Sequence, residues 1–313
     1  MTLIICQINI IKGSNPIIDK LKSNSQIIIK QLRVYQWSKN FLLFVPALAS
    51  HNILSSNVFI NSLISFCSFS LLASSVYIFN DLMDINYDCK HPMKKNRPIS
   101  NKDMSRFNAV GLLSICLVTG LGIAYKLNFL FFLISGVYII LNILYSCIFK
   151  KIIIVDFILL MIFYTLRLIA GHMPNQIPFS PWLLSFFIFL FFSLGLLKRY
   201  IDIRLIMKED NSNTNILIYN IDDSNILIPL GLGSGLISAL VIILYTSSEQ
   251  VQQYYSNPIV LICLAPLILY WISKIWLLAA RGEIKEDPIL FVAKDITSYL
   301  LLFFVLVLII IAI

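Results

Sequence analysis

Apolar runs of about twenty residues, each closed by a short polar stretch, recur along all 313 residues of the chain. A helix needs about 20 mainly apolar residues to cross the hydrocarbon core of a bilayer. The pattern predicts about nine spans, at roughly 38–54, 57–79, 105–125, 128–149, 152–171, 181–198, 226–247, 258–279 and 288–312. The expected fold is an all-α, multi-pass integral membrane helix bundle. Three spans open on Ser180-Pro181, Asn257-Pro258 and Asp287-Pro288, each a capping residue before a proline at the first helical position. The first span is the least regular, because Trp37, Ser38, Lys39 and Asn40 crowd its start and Pro46 interrupts it. Residues 1–30 read as an N-terminal interfacial arm, with Ile27 to Leu32 set among Lys20, Lys22, Lys30 and Arg33. Residues 31–313 read as one transmembrane domain. The N-terminal thirty residues show neither a basic start nor a small-residue cleavage site, so no signal peptide is expected.

Composition agrees with this picture. Hydrophobic residues make up 58% of the chain and charged residues only 13%, against about a quarter charged in soluble domains. The net charge of +8 would suit a nucleic-acid partner, but its distribution does not. The bases sit in short loops, and basic loops alternate with loops that hold almost none. Lys90, Lys94, Lys95, Arg97, Lys102 and Arg106 share one loop, Lys150 and Lys151 the next basic one, then Lys198, Arg199, Arg204 and Lys208, then Arg281 and Lys285. By the positive-inside rule these loops and the N-terminus are cytoplasmic, and the C-terminus lies outside. Every polar motif then faces one side. The six cysteines and three histidines are scattered, never at zinc-ligand spacing. Gly231, Gly233 and Gly235 lie within a span and are expected to allow close helix packing.

The candidate chemistry begins at the end of the second span, in Asn80-Asp81-Leu82-Met83-Asp84-Ile85-Asn86-Tyr87-Asp88. On a continuous helix Asp81, Asp84 and Asp88 fall within an arc of roughly 60°. Three like charges on one face repel. A divalent cation removes that repulsion and can hold a phosphate or diphosphate in turn. The bases downstream, Lys94 and Arg97 among them, would meet the remaining phosphate charge.

A second constellation runs from Tyr145 through Lys150 and Lys151 to Asp156, then Tyr164 and Arg167. Asp156 and Arg167 are charged residues inside an apolar run, eleven positions apart, so they project within roughly 20° of each other on a helix. That face should look into the bundle. Further clusters are Lys198-Arg199-Tyr200 with Asp202 and Arg204, Arg281 to Pro288, and Arg33 with Gln36 to Asn40. Each also has a plainer reading, as topology anchor, capped turn or interfacial aromatic. No glycine-rich phosphate loop, nucleophile elbow or HExxH pattern is present.

Asn80-Asp81-x-x-Asp84-x-x-x-Asp88 resembles the first aspartate-rich motif of the UbiA prenyltransferase superfamily. Within it, Gln36-Trp37-x-Lys39-Asn40, Asn80 through Pro98, Tyr145 to Lys150 with Asp156, Leu166-Arg167 to Gly171, Lys198-Arg199-Tyr200 and Trp276 to Gly282 resemble the decaprenyl-phosphate phosphoribosyltransferase branch. Glu286 stands where that branch is expected to have an aspartate, and the loop at 205–225 lacks the bases expected there.

The resemblance implies a Mg2+-dependent transferase in a bacterial inner or plasma membrane, acting in cell-wall assembly. Its partners would be a polyprenyl lipid and a diphosphate-bearing donor, and an oligomer is compatible with it. Asp81, Asp84 and Asp88, with Asn80, would hold Mg2+. Lys94, Arg97 and Lys150 would neutralise donor phosphates, and Lys39, Lys198 and Arg199 the 5-phosphate or the lipid phosphate. Asp156 would orient the ribose or a cation, with Tyr145 and Arg167 also on the substrate. The alternative within the superfamily is transfer of a prenyl chain from its diphosphate to an aromatic or other acceptor. A transporter would instead want ionisable residues near the midplane and repeated halves, and no convincing repeat is found.

Overall fold

The computed structural model describes residues 25–89, 94–208, 219–248, 251, 255–284 and 287–313. Among these residues the secondary structure is helical throughout. The long helices are α1 (Ser56–Met83), α2 (Arg106–Leu127), α3 (Phe129–Cys147), α4 (Val155–His172), α5 (Pro181–Lys208), α6 (Ser224–Thr246), α7 (Leu264–Arg281) and α8 (Ile296–Ala312). Seven helical segments among the described residues are long and apolar enough to cross a membrane, and α8 is a shorter apolar helix. The all-α membrane bundle expected from the hydropathy pattern is thus observed.

The predicted spans differ from the helices in instructive ways. The first is an eleven-residue 3-10 helix, Val34–Phe44, followed by Val45–Ala49. A 3-10 helix rises about 2.0 Å per residue against 1.5 Å for an α-helix. These sixteen residues therefore reach roughly 30 Å, about the thickness of the hydrocarbon core. Pro46 sits in the first turn of the short helix, where its missing N–H costs nothing. α1 and α5 run past their predicted ends, because polar side chains do not stop a helix whose backbone is satisfied. Asp81 on α1, and Lys198, Arg199, Asp202 and Arg204 on α5, consequently lie on helices rather than in loops. The last predicted span is broken into Pro288–Val292 and α8. Asp295 starts the second piece by accepting a hydrogen bond from the Ser298 amide, and Lys274 of α7 holds its carboxylate at 2.8 Å.

Of the three expected caps, Ser180 and Asp287 accept hydrogen bonds from the Leu183 and Ile289 amides, whereas Asn257 makes no such bond. Gly231 and Gly235 let α7 close onto α6: an added Cβ would lie 2.1 Å from Trp276 and 2.7 Å from Ile272. Gly233 faces open space instead. Gly171 has the tightest backbone approach. A Cβ there would sit 2.4 Å from the Leu43 carbonyl, so the 3-10 helix can lie against α4 only at a glycine. Of the predicted N-terminal arm, residues 1–24 lie outside the described residues. Residues 25–32 form a helix whose Ile27 and Leu32 join Ile78, Ile99 and Met104 in a small apolar cluster at the end of α1.

α1 is deeply buried, and its inward face is unusually rich in serine (Ser62, Ser65, Ser68, Ser70, Ser74, Ser75). Small hydroxyl side chains let neighbouring backbones approach and can return their protons to nearby carbonyls. Ser68 does so to Gly120 of α2, and Ser62 and Ser65 to their own helix. Two main apolar clusters result. One joins α1, α3 and α4 around Phe69, Phe131, Tyr138 and Phe163; the other joins α4 to α7 around Phe191, Leu197, Ile275 and Trp276.

Candidate active site

The chain forms three charged groupings, two at one end of the bundle and a third that reaches further along it. The first is the aspartate motif. Helix α1 ends at Met83, Asp84 is its C-cap, and Ile85–Asp88 add one further turn. Asp and Asn compete with the helix backbone for hydrogen bonds, which suits a break within this sequence. The three carboxylates therefore do not form the single stripe that a continuous helix would give. Asp81 and Asp88 converge on one nitrogen, Arg97 Nη1, which lies 3.0 Å from Asp81 Oδ1 and donates a short bond to Asp88. Asp84 turns to Lys150, 2.5 Å away.

Asp81 is 1% exposed and has two further partners. Gln31 Nε2 donates to it at 3.0 Å, and Arg33 donates a short bond. Arg33 reaches it from a left-handed backbone turn (φ 52°), a conformation that costs a non-glycine residue about 1–2 kcal/mol. Its guanidinium also lies 5.3 Å from the Tyr77 ring. Asn80 accepts from Ser146 at the end of α3. Lys94 begins a single 3-10 turn, but its side chain lies outside the described residues, as do residues 90–93.

The second grouping surrounds Asp156 in the first turn of α4. Its carboxylate pairs with Arg199 and accepts from the Tyr219 hydroxyl. Arg199 also donates to Tyr145 Oη and to Asp202, both at 2.9 Å. Just before Asp156, Ile154 adopts φ 72°, which is a genuine outlier for a β-branched residue. Its amide donates to the same Tyr219 hydroxyl at 2.9 Å. One tyrosine thus fixes both the strained start of α4 and its carboxylate. Burial, then its bond to Asp156, pushes the Tyr219 phenol well above its ordinary pKa, so it remains a donor.

The third grouping lies deeper. Lys39 from the 3-10 helix and Lys198 from α5 both reach Asp287, at 2.8 and 3.5 Å. Burial alone would raise the Asp287 carboxyl; the two ammonium groups outweigh it and hold it well below the usual carboxylate range. Arg167 is 3% exposed, and among the described residues it has no carboxylate partner. It donates to Asn40 Oδ1 at 2.8 Å, to the Phe163 carbonyl at 2.7 Å and to Tyr138 Oη at 2.9 Å. Lys39 and Arg167 both lie 5.8 Å from the centre of the Tyr164 ring. Asp156 and Arg167 both point inward, as their helical phase predicted, but about three turns separate them and they share no partner.

The sequence matches the UbiA prenyltransferase family over residues 41–294. The chain belongs to that family. It is 33% identical to the uncharacterized protein y4nM of Sinorhizobium fredii over 87% of this chain and 53% of that protein, so it spans about half the length of that relative. It is 26% identical to the nodulation protein NoeC of Azorhizobium caulinodans, over 85% of this chain and 86% of that one. A decaprenyl-phosphate phosphoribosyltransferase of Mycobacterium tuberculosis is 33% identical over 57% of this chain and 60% of its own length. The structure of an Archaeoglobus fulgidus UbiA homolog bound to DMAPP and Mg2+ superimposes with a TM-score of 0.67 at 18% identity, covering 90% of this chain and 98% of that one. That likeness concerns the fold.

In this UbiA-family chain the donor set suits a hard cation. Asp81 and Asp88 present carboxylate oxygens aimed at one point, the Arg97 nitrogen between them. Among the described residues no three acidic, histidine or cysteine side chains form a closed metal cage. Magnesium is typically held by one or two carboxylates and completed by water and substrate phosphates, so two converging carboxylates fit it.

Sequence reasoning gave most of these residues and missed several. Gln31 carried no signal, as a polar residue in an amphipathic arm. Tyr219 sits in a polar loop and carried none either. Ser146 was only part of a run. The sequence marks Asp287 as a cap, which it is, but its charge is also used by two lysines. Residues 209–218 and Lys285 with Glu286 lie outside the described residues, so the departures noted there have no structural counterpart.

Proposed function

We propose that this chain is a Mg2+-dependent membrane transferase that moves 5-phosphoribose from phosphoribosyl diphosphate to a polyprenyl phosphate. One observation carries the reading. In the aspartate motif cations and carboxylates match, whereas the group beside it has, among the described residues, three cations, the buried Lys39 and Arg167 and the partly exposed Lys198, against one carboxylate, Asp287. A donor with a single diphosphate needs one anion site. A phosphosugar donor with a phospholipid acceptor needs more than one, and surplus buried positive charge is what a second phosphate would neutralise. The partial similarity to mycobacterial phosphoribosyltransferases supports the same class.

In this reading Asp81, Asp88 and Asp84 hold the metal, directly or through water, and bound magnesium would carry the charge of the departing diphosphate. Arg97 and Lys150 take phosphate oxygens. Lys39, Lys198 and Arg167 hold the second phosphate. Arg199 is held in place by Asp156, Tyr145 and Asp202, and faces the substrate from that fixed position. The bond from the anomeric carbon to the diphosphate breaks as the lipid phosphate oxygen bonds to that carbon. The attacking oxygen is already an anion, so no strong general base is required. The basic loops put this chemistry on the cytoplasmic face.

A second reading keeps the family's prenyl transfer, with the diphosphate on the lipid. The solved relatives bound to DMAPP or GPP with Mg2+ favour it. A donor swap separates the two. Purified protein with Mg2+ receives labelled phosphoribosyl diphosphate and polyprenyl phosphate, or polyprenyl diphosphate and an aromatic acid. Label in the lipid fraction, abolished by EDTA, is the expected result. A prenylated aromatic product alone would establish the second reading.

A further inference from the structure

We infer that Arg97 is a built-in stand-in for the metal, so that cation and diphosphate bind this site cooperatively and neither binds well alone. The inference rests on the reading that Asp81 and Asp88 are metal ligands. Two nearly fully buried carboxylates cannot face each other without a counter-charge. Here one guanidinium nitrogen supplies it to both, 3.0 Å from Asp81 and in a short bond to Asp88. Arg33 is also bonded to Asp81, and Lys150 is bonded to Asp84. Each carboxylate of the motif thus carries a cation from the chain itself.

A divalent cation arriving alone must push Arg97 off both oxygens and then sit beside three positive side chains. A diphosphate arriving alone must approach three carboxylates. Arriving together, the metal takes the carboxylate oxygens while Arg97 and Lys150 are freed for the phosphate oxygens, where a guanidinium can bind two at once. Each ligand then raises the affinity of the other by the same factor.

The exchange needs only a side-chain rotation. The backbone around Arg97 is fixed, with its carbonyl accepting from the Asn101 amide at 2.8 Å and Pro98 accepting from Met104 at 3.0 Å. Ile99 and Met104 anchor the same loop in the apolar cluster beneath. The Arg97 side chain itself is 27% exposed and has room to leave.

The test is Mn2+ binding, followed by electron paramagnetic resonance on detergent-purified full chain without substrate, then at fixed free Mn2+ with inorganic diphosphate. Arg97→Gln should bind Mn2+ alone about tenfold more tightly than the unaltered chain, and diphosphate should add less to it. Arg106→Gln, which removes an exposed arginine at the start of α2, should leave Mn2+ affinity unchanged. Should Arg97→Gln fail to fold, Arg97→Lys carries the test. Its ammonium is more strongly hydrated than a guanidinium and pairs less well with buried carboxylates, so Mn2+ affinity should rise about threefold. Equal or weaker Mn2+ binding by the variant that folds overturns the inference while leaving the metal reading intact. No Mn2+ binding by any chain, with or without diphosphate, overturns both.

Discussion

The aspartate motif and the Lys39–Asp287–Lys198 node are neighbours with opposite charge logic. In the first, Asp81, Asp84 and Asp88 are each matched by a cation from Arg33, Arg97 or Lys150. In the second, among the described residues, two lysines share one carboxylate and Arg167 is satisfied by neutral oxygens. A buried cation without an anion is costly in a low dielectric. A balanced cluster invites exchange of one cation for another, whereas a surplus of buried cations invites an anion. On the proposed reading, metal belongs to the first region and phosphate to the second.

The strongest way to break that division is Asp81→Asn, which preserves shape and removes the charge. Turnover should fall by about 10³-fold or more while the purified chain stays monodisperse. Unchanged turnover would remove the metal from this region. Lys198→Met tests the other side. It should lower kcat/KM for a phosphate-bearing substrate by about 10²-fold, the scale of one charge-assisted hydrogen bond. Mn2+ binding should not change, and a change there would merge the two regions into one.

Asp287→Asn should act on stability, because it leaves Lys39 and Lys198 facing each other without a counter-ion. Loss of one partner of a buried pair costs about 3–5 kcal/mol. The sign with pH follows from the lowered carboxyl pKa. The contribution of Asp287 is fully present above the ordinary carboxylate range of about 4 and is lost as pH falls toward its depressed folded value. Thermal unfolding scanned downward from pH 6 should show this loss in the unaltered chain and a flatter profile in the variant.

Tyr219→Phe sharpens the picture of the Asp156 group, which belongs to neither region. Losing one hydroxyl should reduce activity only severalfold, through a looser Arg199, and should leave Mn2+ affinity untouched. Cys89→Ser lies closest to the motif with the smallest expected effect. The residue is exposed and bonded only weakly to the Ser100 carbonyl, and turnover should match the unaltered chain.

Hydropathy alone determined the all-helical membrane bundle and most of its helix centres, because a bilayer leaves the backbone almost no other way to satisfy its hydrogen bonds. Charge inside an apolar run marks Asp156 and Arg167, and charge at the end of one marks Asp81, since ionisable residues there are too costly to be incidental. Pattern also failed in particular places. It drew one helix through Asp295, where a side-chain cap begins a new one. It marks the first span as irregular but not that a 3-10 helix there covers the distance with fewer residues than an α-helix would.

Which cation meets which carboxylate was decided by tertiary structure. Arg97 and Arg33 approach Asp81 from opposite sides in sequence, sixteen and forty-eight residues away, and Asp287 lies 248 residues from Lys39. Helical periodicity fixes the direction of a side chain on its own helix and says nothing about the rotation of the next one. Pairing depends on how two helices and a loop settle against each other, through contacts such as Gly171 on Leu43, and only the packed bundle contains that information.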